Sequence, residues 1–222
     1  MRQTSAAKST GQPRAATLSP VPLPNCFVPG ARIVTPAGTR AAEDLRPGDR
    51  VMTRDNGPQE ICWTGCRGLT TVDLSQHPHL RPVRIPAGAL GEGRPARDLM
   101  LSPNHRVLST GDMTALHCGT DEVFVAAKHL TAQPGIRAAD LPWVTYLHFM
   151  CAAHEVVLAD GVWSETYQPA AGPVDGIGNA QRLEIEELFP ELATYEGLAA
   201  RTAARPTLTP RAPAHQRGHP VA

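Results

Sequence analysis

The stretch that decides the fold is Asn25-Cys26-Phe27-Val28-Pro29-Gly30-Ala31-Arg32-Ile33-Val34-Thr35. It stands where a segment without apolar periodicity gives way to short β-prone runs broken by Gly, Pro, Asp and Asn. Cys26 therefore lies where the folded part of the chain is predicted to begin. A lone free cysteine is more often a small buried apolar residue than a nucleophile, so its role depends on the sequence around it.

The bulk composition indicates one mainly β domain with tails. The chain has 222 residues, of which 22 are proline and 19 glycine, and this favours short elements joined by turns over long helices. The 21 basic and 21 acidic residues cancel, so we expect neither a nucleic acid nor a membrane as partner. With no long apolar run and no hydrophobic leader, we expect a soluble monomer, either cytoplasmic or exported by an unrecognised route.

Short β-prone runs between turn residues predict at least eight strands of about the usual length. Helical spacing of Leu and Ile appears only late, at residues 182–189, and a second short helix is predicted near 194–201. The predicted strands cover residues 32–35, 50–54, 60–64, 83–85, 106–109, 122–125, 143–147 and 155–158.

Composition also divides the chain into three parts. Both ends are rich in small and basic residues without apolar periodicity, which is typical of disorder. We predict a disordered leader at 1–20, one domain with its late helical segment at 21–200, and a disordered tail at 201–222.

Four blocks, in order, resemble the Hint domain that inteins and hedgehog C-terminal regions share. The stretch around Cys26 is similar to the opening block, and residues 42–51 (AEDLRPGDRV) to the loop and strand that follow it. Residues 101–108 (LSPNHRVL) resemble the Thr-x-x-His block, with Ser102 in place of Thr. Residues 154–167 resemble the hedgehog end block, and the likeness is greatest to bacterial stand-alone Hint proteins.

This resemblance implies a fold and an activity. The fold is an all-β, horseshoe-like arrangement of many short strands in hairpin subunits related by a pseudo-two-fold axis, followed by a short helical segment. The activity is single-turnover self-processing, in which the Cys26 thiol attacks the Asn25 carbonyl carbon and turns the peptide bond into a thioester. The substrate is then the chain's own N-terminal segment, and no cofactor is implied.

The resemblance also implies roles for three polar side chains. His105 matches the histidine that contacts the scissile amide nitrogen and protonates the departing amine, and His154 matches the one that assists thiol activation or resolution of the intermediate. Ser102 is expected to hydrogen-bond the scissile amide or the developing oxyanion. Histidine suits these tasks because its ordinary pKa of about 6.5 lets it exchange protons near neutral pH, whereas a thiol with a pKa of about 8.5 needs a base.

The chain departs from splicing inteins in the end block. Those inteins end in His-Asn, and cyclisation of that Asn cuts the downstream junction, whereas this chain has Glu165-Thr166-Tyr167 there. We therefore expect no full splicing, and a thioester resolved by water or a small external nucleophile. The alternative is a catalytically silent Hint scaffold that acts as a binding module. A cysteine hydrolase acting in trans is a weaker one.

Two other features are expected to carry no chemistry. Cys62 and Cys66 lack the two-residue gap of a zinc ribbon and have no matching second pair, so no metal site is predicted. Asp160-Gly161 is predicted to be the type I′ turn of a hairpin.

Overall fold

A computed structural model describes residues 25–110, 120–169 and 179–208 of the chain. Within these ranges short antiparallel strands dominate and the helices are few and short, so the predicted all-β class with a late helical segment is confirmed. The predicted leader at 1–20 lies outside the described residues.

The described residues contain twelve strands. Most of the predicted ones lie within a few residues of their expected bounds, but the run expected at 60–64 is part of a strand of 13 residues. The strands are β1 (Arg32–Thr35), β2 (Gly38–Ala41), β3 (Arg50–Thr53), β4 (Gly57–Leu69), β5 (Val83–Ile85), β6 (Leu99–Leu101), β7 (Arg106–Thr110), β8 (Glu122–Ala126), β9 (Arg137–Ala138), β10 (Val144–Cys151), β11 (Val156–Ala159) and β12 (Val162–Glu165).

The helices of the described residues are all short. Thr70, whose side chain accepts from the Asp73 amide while the Asp73 side chain accepts from the Thr70 amide, caps the first of them. None of the helices in the described ranges is long and apolar enough to cross a bilayer. The helices are α1 (Thr71–Gln76), α2 (Ala127–Leu130), α3 (Asn179–Leu188) and α4 (Tyr195–Ala200), with 3-10 turns at Ala42–Asp44, Pro78–Leu80 and Pro190–Ala193.

Two sheets organise the strands. The larger has the order β10-β4-β3-β11-β12-β7-β8, with β1 joined to β11 and β2, and the smaller has the order β6-β5-β9. The longest pairing is the antiparallel ribbon in which Val144 to Cys151 of β10 lie opposite Leu69 to Ile61 of β4. This ribbon explains why β4 extends beyond the predicted residue 64. Pairing with β10 stabilises residues 65–69, which contain two glycines and have weak strand propensity of their own.

The segment that begins the described chain lies between the two sheets. Phe27 exchanges two backbone hydrogen bonds with Leu147 of β10, each of 2.9 Å, and bridges to Leu101 at the end of β6. The Phe27 ring stacks on Phe149 with centroids 5.4 Å apart. Cys26 is thereby placed at a junction of β6 and β10, with none of its surface exposed.

A tight turn joins β11 to β12. Asp160 and Gly161 both have positive φ, 49° and 80°, as the predicted type I′ turn requires. The buried Asp160 carboxylate also accepts from the Arg32 amide at 3.0 Å and from the Arg97 guanidinium at 2.6 Å. The turn therefore fixes the start of β1 as well as its own hairpin.

A third apolar cluster ties the late helices to the long ribbon. Ile185 of α3 and Leu192 of the following 3-10 turn are each 2% exposed, and they pack with Trp63, Met150 and Tyr167. The helical segment is therefore part of the folded domain.

Residues 205–208, which lie in the predicted tail, make long-range contacts with the domain. The Phe124 amide donates to the Pro206 carbonyl and the Leu208 amide donates to the Phe124 carbonyl, both at 2.8 Å. Arg205 pairs with Glu122 at 2.6 Å and Asp55 at 2.7 Å. The free energy of these long-range contacts offsets the conformational entropy that is lost when the segment is ordered. Residues 209–222 lie outside the described residues.

The turn at Gly161 generates a stability prediction. Gly161→Ala is expected to lower the free energy of unfolding by about 1 kcal/mol, because a Cβ is strained at positive φ. Gly68→Ala is the matched control: Gly68 lies in β4 without positive φ and with open space at its Cβ position. Urea unfolding of both variants measures the difference, and equal stabilities would contradict the assigned turn.

Candidate active site

Ser102 hydrogen-bonds the backbone of Cys26 at both its amide and its carbonyl group. The Cys26 amide donates to Ser102 Oγ at 2.9 Å, and the Ser102 amide donates to the Cys26 carbonyl at 3.0 Å. Ser102 follows β6 directly, so the pairing of β6 in the smaller sheet sets its position. A hydroxyl, which can both accept and donate, therefore lies at the nitrogen of the Asn25–Cys26 bond.

His148 of β10 contacts both atoms that would react. Its Nε2 lies 3.6 Å from the Cys26 sulfur, and its Nδ1 lies 3.3 Å from the carbonyl oxygen of Asn25. In the tautomer with the proton on Nδ1, the ring donates to that carbonyl and presents a lone pair to the thiol. A base and an oxyanion donor are thus combined in one imidazole.

His148 is a candidate site residue that the motifs in the sequence do not include. It is 3% exposed in an apolar strand, two residues after the buried Tyr146, so its position in the alternation of β10 points it inward. That period-two pattern was the available signal. It marks a buried polar side chain, but the contact with Cys26 depends on the pairing of residues 27 and 147.

The side chain of Asn25 is also fixed. Its amide nitrogen donates to the Thr166 carbonyl at 2.7 Å, and the Thr166 amide in turn donates to the Glu155 carbonyl at 2.9 Å. Asn25 is therefore held from its side chain and from its carbonyl oxygen. This arrangement keeps the Asn25 carbonyl next to the Cys26 thiol.

Burial makes the Cys26–His148 pair neutral. It raises the pKa of the Cys26 thiol well above its ordinary value, against the opposing effects of Ser102 and of the Arg67 guanidinium. It lowers the pKa of His148 to about 4, and the positive charge of Arg67 acts in the same direction, against the hydrogen bond to Asn25. At neutral pH the resting pair is therefore thiol and neutral imidazole rather than thiolate and imidazolium.

His105 lies buried beside the nucleophile segment. Its ring meets the Phe27 ring edge-on at a centroid distance of 4.4 Å, and its Nε2 is hydrogen-bonded to Ser164 Oγ. Its Nδ1 has no hydrogen-bond partner within the described residues. Burial lowers the pKa of His105 to about 4 despite the negative charge of Glu165, so this ring is also neutral at neutral pH.

His154 belongs to a second buried group. Its Nδ1 accepts from the Ala204 amide at 3.0 Å, which leaves the proton on Nε2 to be donated to Glu165 at 3.1 Å. Arg106 binds the same carboxylate through its backbone amide and its guanidinium. Burial would raise the pKa of Glu165, but the hydrogen bond from His154 and the charge of Arg106 outweigh it and lower the pKa.

The predicted site residues thus divide into two groups. In the first, Asn25, Cys26 and Ser102 meet at the Asn25–Cys26 bond and His105 packs against the adjacent Phe27. In the second, the hydrogen bonds of the His154 ring are with Glu165 and Ala204. The role predicted for His154 at the thiol stays a prediction, and the histidine in contact with the thiol is His148. In the described ranges, no three His, Cys, Asp or Glu side chains are grouped to hold a metal.

A family model described as a Hint domain matches residues 25–171, well over half of the chain. The chain belongs to the Hint domain family. The match begins one residue before Cys26 and includes the whole of both groups except the tail contact at Ala204. No curated protein sequence matches this Hint domain.

Solved inteins resemble the Hint domain in fold. An intein-like domain from Clostridium thermocellum is 16% identical, with a TM-score of 0.41 and coverage of 64% of this chain and 97% of that one. The AceL NrdHF class 3 split intein, in a splice-inactive variant, is 16% identical with a TM-score of 0.43 and the same coverage. A substituted gp41-1 intein is 11% identical, with a TM-score of 0.41 and coverage of 63% and 98%.

The two neutral buried histidines generate a pH prediction. Their folded pKa values of about 4 lie below the unfolded value of about 6.5, so between these pH values the unfolded chain binds more protons. The free energy of unfolding therefore rises with pH through this window, by about 1.4 kcal/mol per pH unit for each histidine.

Urea unfolding at several pH values between 4.5 and 6.5 measures this slope. It is best done in the Cys26→Ala chain, which cannot cleave, with His148→Asn added in a second chain. In the chain without His148, the slope of the free energy of unfolding against pH is expected to be smaller by the equivalent of about one proton. This is roughly half of the contribution of the two histidines. Identical slopes in both chains would show that His148 is not held neutral in the folded state.

Proposed function

We propose that this Hint domain carries out an autocatalytic N–S acyl shift at the Asn25–Cys26 bond. The observation that carries the proposal is the position of His148, which contacts the Cys26 sulfur through one ring nitrogen and the Asn25 carbonyl oxygen through the other. A histidine with a purely structural role is not expected to contact both a thiol and the carbonyl oxygen of the residue before it. Substrate and catalyst are then the same chain, and each molecule reacts once.

The proposed step begins with transfer of the Cys26 thiol proton to Nε2 of His148. The sulfur attacks the Asn25 carbonyl carbon, and the Nδ1–H of the same ring donates to the oxygen as it gains negative charge. Proton transfer inside a pair that is neutral at rest avoids the need for a free thiolate, which burial disfavours.

Collapse of the tetrahedral intermediate breaks the carbon–nitrogen bond. The nitrogen of Cys26 then needs a proton, and the net result is that the thiol proton has moved from sulfur to nitrogen. Ser102 Oγ lies 2.9 Å from this nitrogen and is the hydroxyl placed to relay a proton to it. His105, whose buried Nδ1 has no hydrogen-bond partner in the described residues, is a second candidate for this relay; because the ring is neutral at rest, it must regain from His148 the proton that it gives to the nitrogen.

The thioester is then resolved by water or a small nucleophile, without splicing. Glu165 has no amide to cyclise, and its carboxylate is already bound by Arg106 and His154. The end block, residues 154–167, therefore lacks the amide side chain whose cyclisation cuts the downstream junction in splicing inteins.

A specific observation favours the alternative, a silent Hint scaffold that acts as a binding module. Cys26 has no exposed surface, and burial raises the pKa of its thiol well above the ordinary range. Such a thiol is inert unless its own peptide bond is the substrate. The same burial argues against a hydrolase acting in trans, which needs an open cleft at the sulfur.

Intact-mass spectrometry of freshly expressed chain separates these functions. The acyl shift predicts a product that begins at Cys26, formed faster with dithiothreitol or hydroxylamine, and absent in Cys26→Ala. Cys66→Ala is the matched control, because Cys66 is an exposed thiol of β4 and its loss should leave the cleavage rate unchanged. A wild-type chain that stays intact with both reagents for days would establish the silent scaffold.

The assignment of His148 has its own test. His148→Asn keeps an amide near the Nδ1 position but removes the base, and we expect the thioester to form about 10²-fold to 10⁴-fold more slowly. His154→Gln, measured in parallel, is expected to have a smaller effect, since the His154 ring is bound to Glu165 and Ala204. The reverse order of effects, by mass spectrometry of the hydroxylamine-trapped product, would return the base role to His154.

A further inference from the structure

The C-terminal residues 179–208 lie beyond the part of the chain that the Hint family model matches, which ends at residue 171. We propose that this segment, the C-terminal brace, positions the scissile residue and His148 by holding Thr166 and Tyr167 in place. The inference rests on the acyl shift proposed above. It adds positioning residues that are outside the matched domain.

The first link runs from the reacting atoms to residues 166 and 167. The Thr166 carbonyl accepts from the Asn25 side chain at 2.7 Å. The ring of Tyr167 meets the His148 ring at a centroid distance of 5.6 Å and an angle of 69°, and its amide donates to the Phe149 carbonyl at 2.8 Å. Two adjacent residues thus fix the electrophile on one side and the imidazole on the other.

The second link runs from Tyr167 to the brace. Ile185 and Leu192 pack with Tyr167 and Trp63 in one buried cluster. The ring of Trp63 lies 6.3 Å from the His148 ring and 5.7 Å from the Tyr167 ring. The brace therefore supports both aromatic rings that confine His148.

Polar contacts hold the brace to the end block. The Gln168 side chain donates to the Arg201 carbonyl at 3.1 Å, and the Ala204 amide donates to His154 at 3.0 Å. Arg106, which binds Glu165, also donates to Thr207 at 2.6 Å. The segment between Glu165 and Gln168 is thus tied at its two ends to groups that the brace contacts.

The brace contributes position and not chemistry. Its contacts with the site pass through Tyr167, Trp63 and His154, and catalysis depends steeply on placement, because an error of about 1 Å can reduce a rate on the order of a hundredfold. Without the brace, Tyr167 would lose one packed face and water would gain access to His148. The titratable groups that face His148 are the thiol of Cys26, the guanidinium of Arg67, the hydroxyl-bearing ring of Tyr167 and the imidazole of His105.

A matched pair of double variants tests the brace. Ile185→Ala with Leu192→Ala removes the two buried side chains under Tyr167, whereas Leu183→Ala with Leu188→Ala removes two apolar side chains of α3 that are 59% and 54% exposed. The first pair is expected to slow cleavage at Asn25–Cys26 on the order of tenfold to a hundredfold. The second pair should cleave at the wild-type rate. The conservative single variant Ile185→Val should keep most of that rate.

A readout independent of cleavage separates this inference from the acyl shift itself. In the non-cleaving Cys26→Ala chain, NMR titration of the His148 ring reports its surroundings directly. With the brace intact its pKa should stay near the buried value of about 4, and Ile185→Ala with Leu192→Ala should raise it toward the ordinary value of about 6.5 as water reaches the ring.

The outcomes are distinct. A raised His148 pKa in the brace variant supports the inference even in a chain whose wild type never cleaves, which would overturn only the proposed function. An unchanged titration, together with a wild-type cleavage rate where cleavage occurs, would overturn the brace. Circular dichroism of the same chains guards against unfolding, and an unfolded double variant is replaced by Ile185→Ala alone, judged by the same criteria.

Discussion

The backbone pairing of Phe27 with Leu147 is the contact on which the rest of the site depends. Two hydrogen bonds attach the entering chain to β10, and the adjacent contact with Ser102 attaches it to the end of β6. Side chains alternate along a strand, so this register places His148, one residue beyond Leu147, against Cys26 and Asn25. A shift of one residue would turn His148 to the opposite face and leave the thiol beside an apolar side chain.

Burial of this junction lowers the reactivity of the resting thiol but favours the proposed acyl shift. It keeps Cys26 protonated and His148 neutral, so the sulfur is a poor nucleophile toward anything that approaches from solvent. It also removes water from the space in which a hydrogen bond to the carbonyl oxygen would act, and such a bond is stronger there than in water. A buried thiol with a raised pKa is therefore compatible with an intramolecular acyl shift. The Asn25 carbonyl group already lies beside the thiol, and the proton moves only between groups that are in contact.

The parts that local sequence determines were predictable, and the parts that long-range pairing determines were not. Strands β1 and β5 have the predicted bounds because turn residues delimit them on both sides, and Cys26 and Ser102 were found because they lie in motifs with fixed spacing. His148 carries no such motif, and its partner is 122 positions away in the chain. Likewise the composition of residues 201–208 is typical of a tail, but pairing with Phe124 and ion pairs of Arg205 order it.

The carboxylate of Glu165 accounts for the hydrogen bonds of the end-block histidine, His154. A fully buried carboxylate must be paired, since an isolated one costs several kcal/mol to desolvate, and Arg106 and His154 supply the pairing. The fixed proton on Nε2 of His154 serves that purpose, and the Ala204 amide fixes it by occupying Nδ1. Glu165 thus commits His154 to this buried group. Under the proposed acyl shift the base at the thiol then comes from β10, the strand that pairs with the segment containing Cys26.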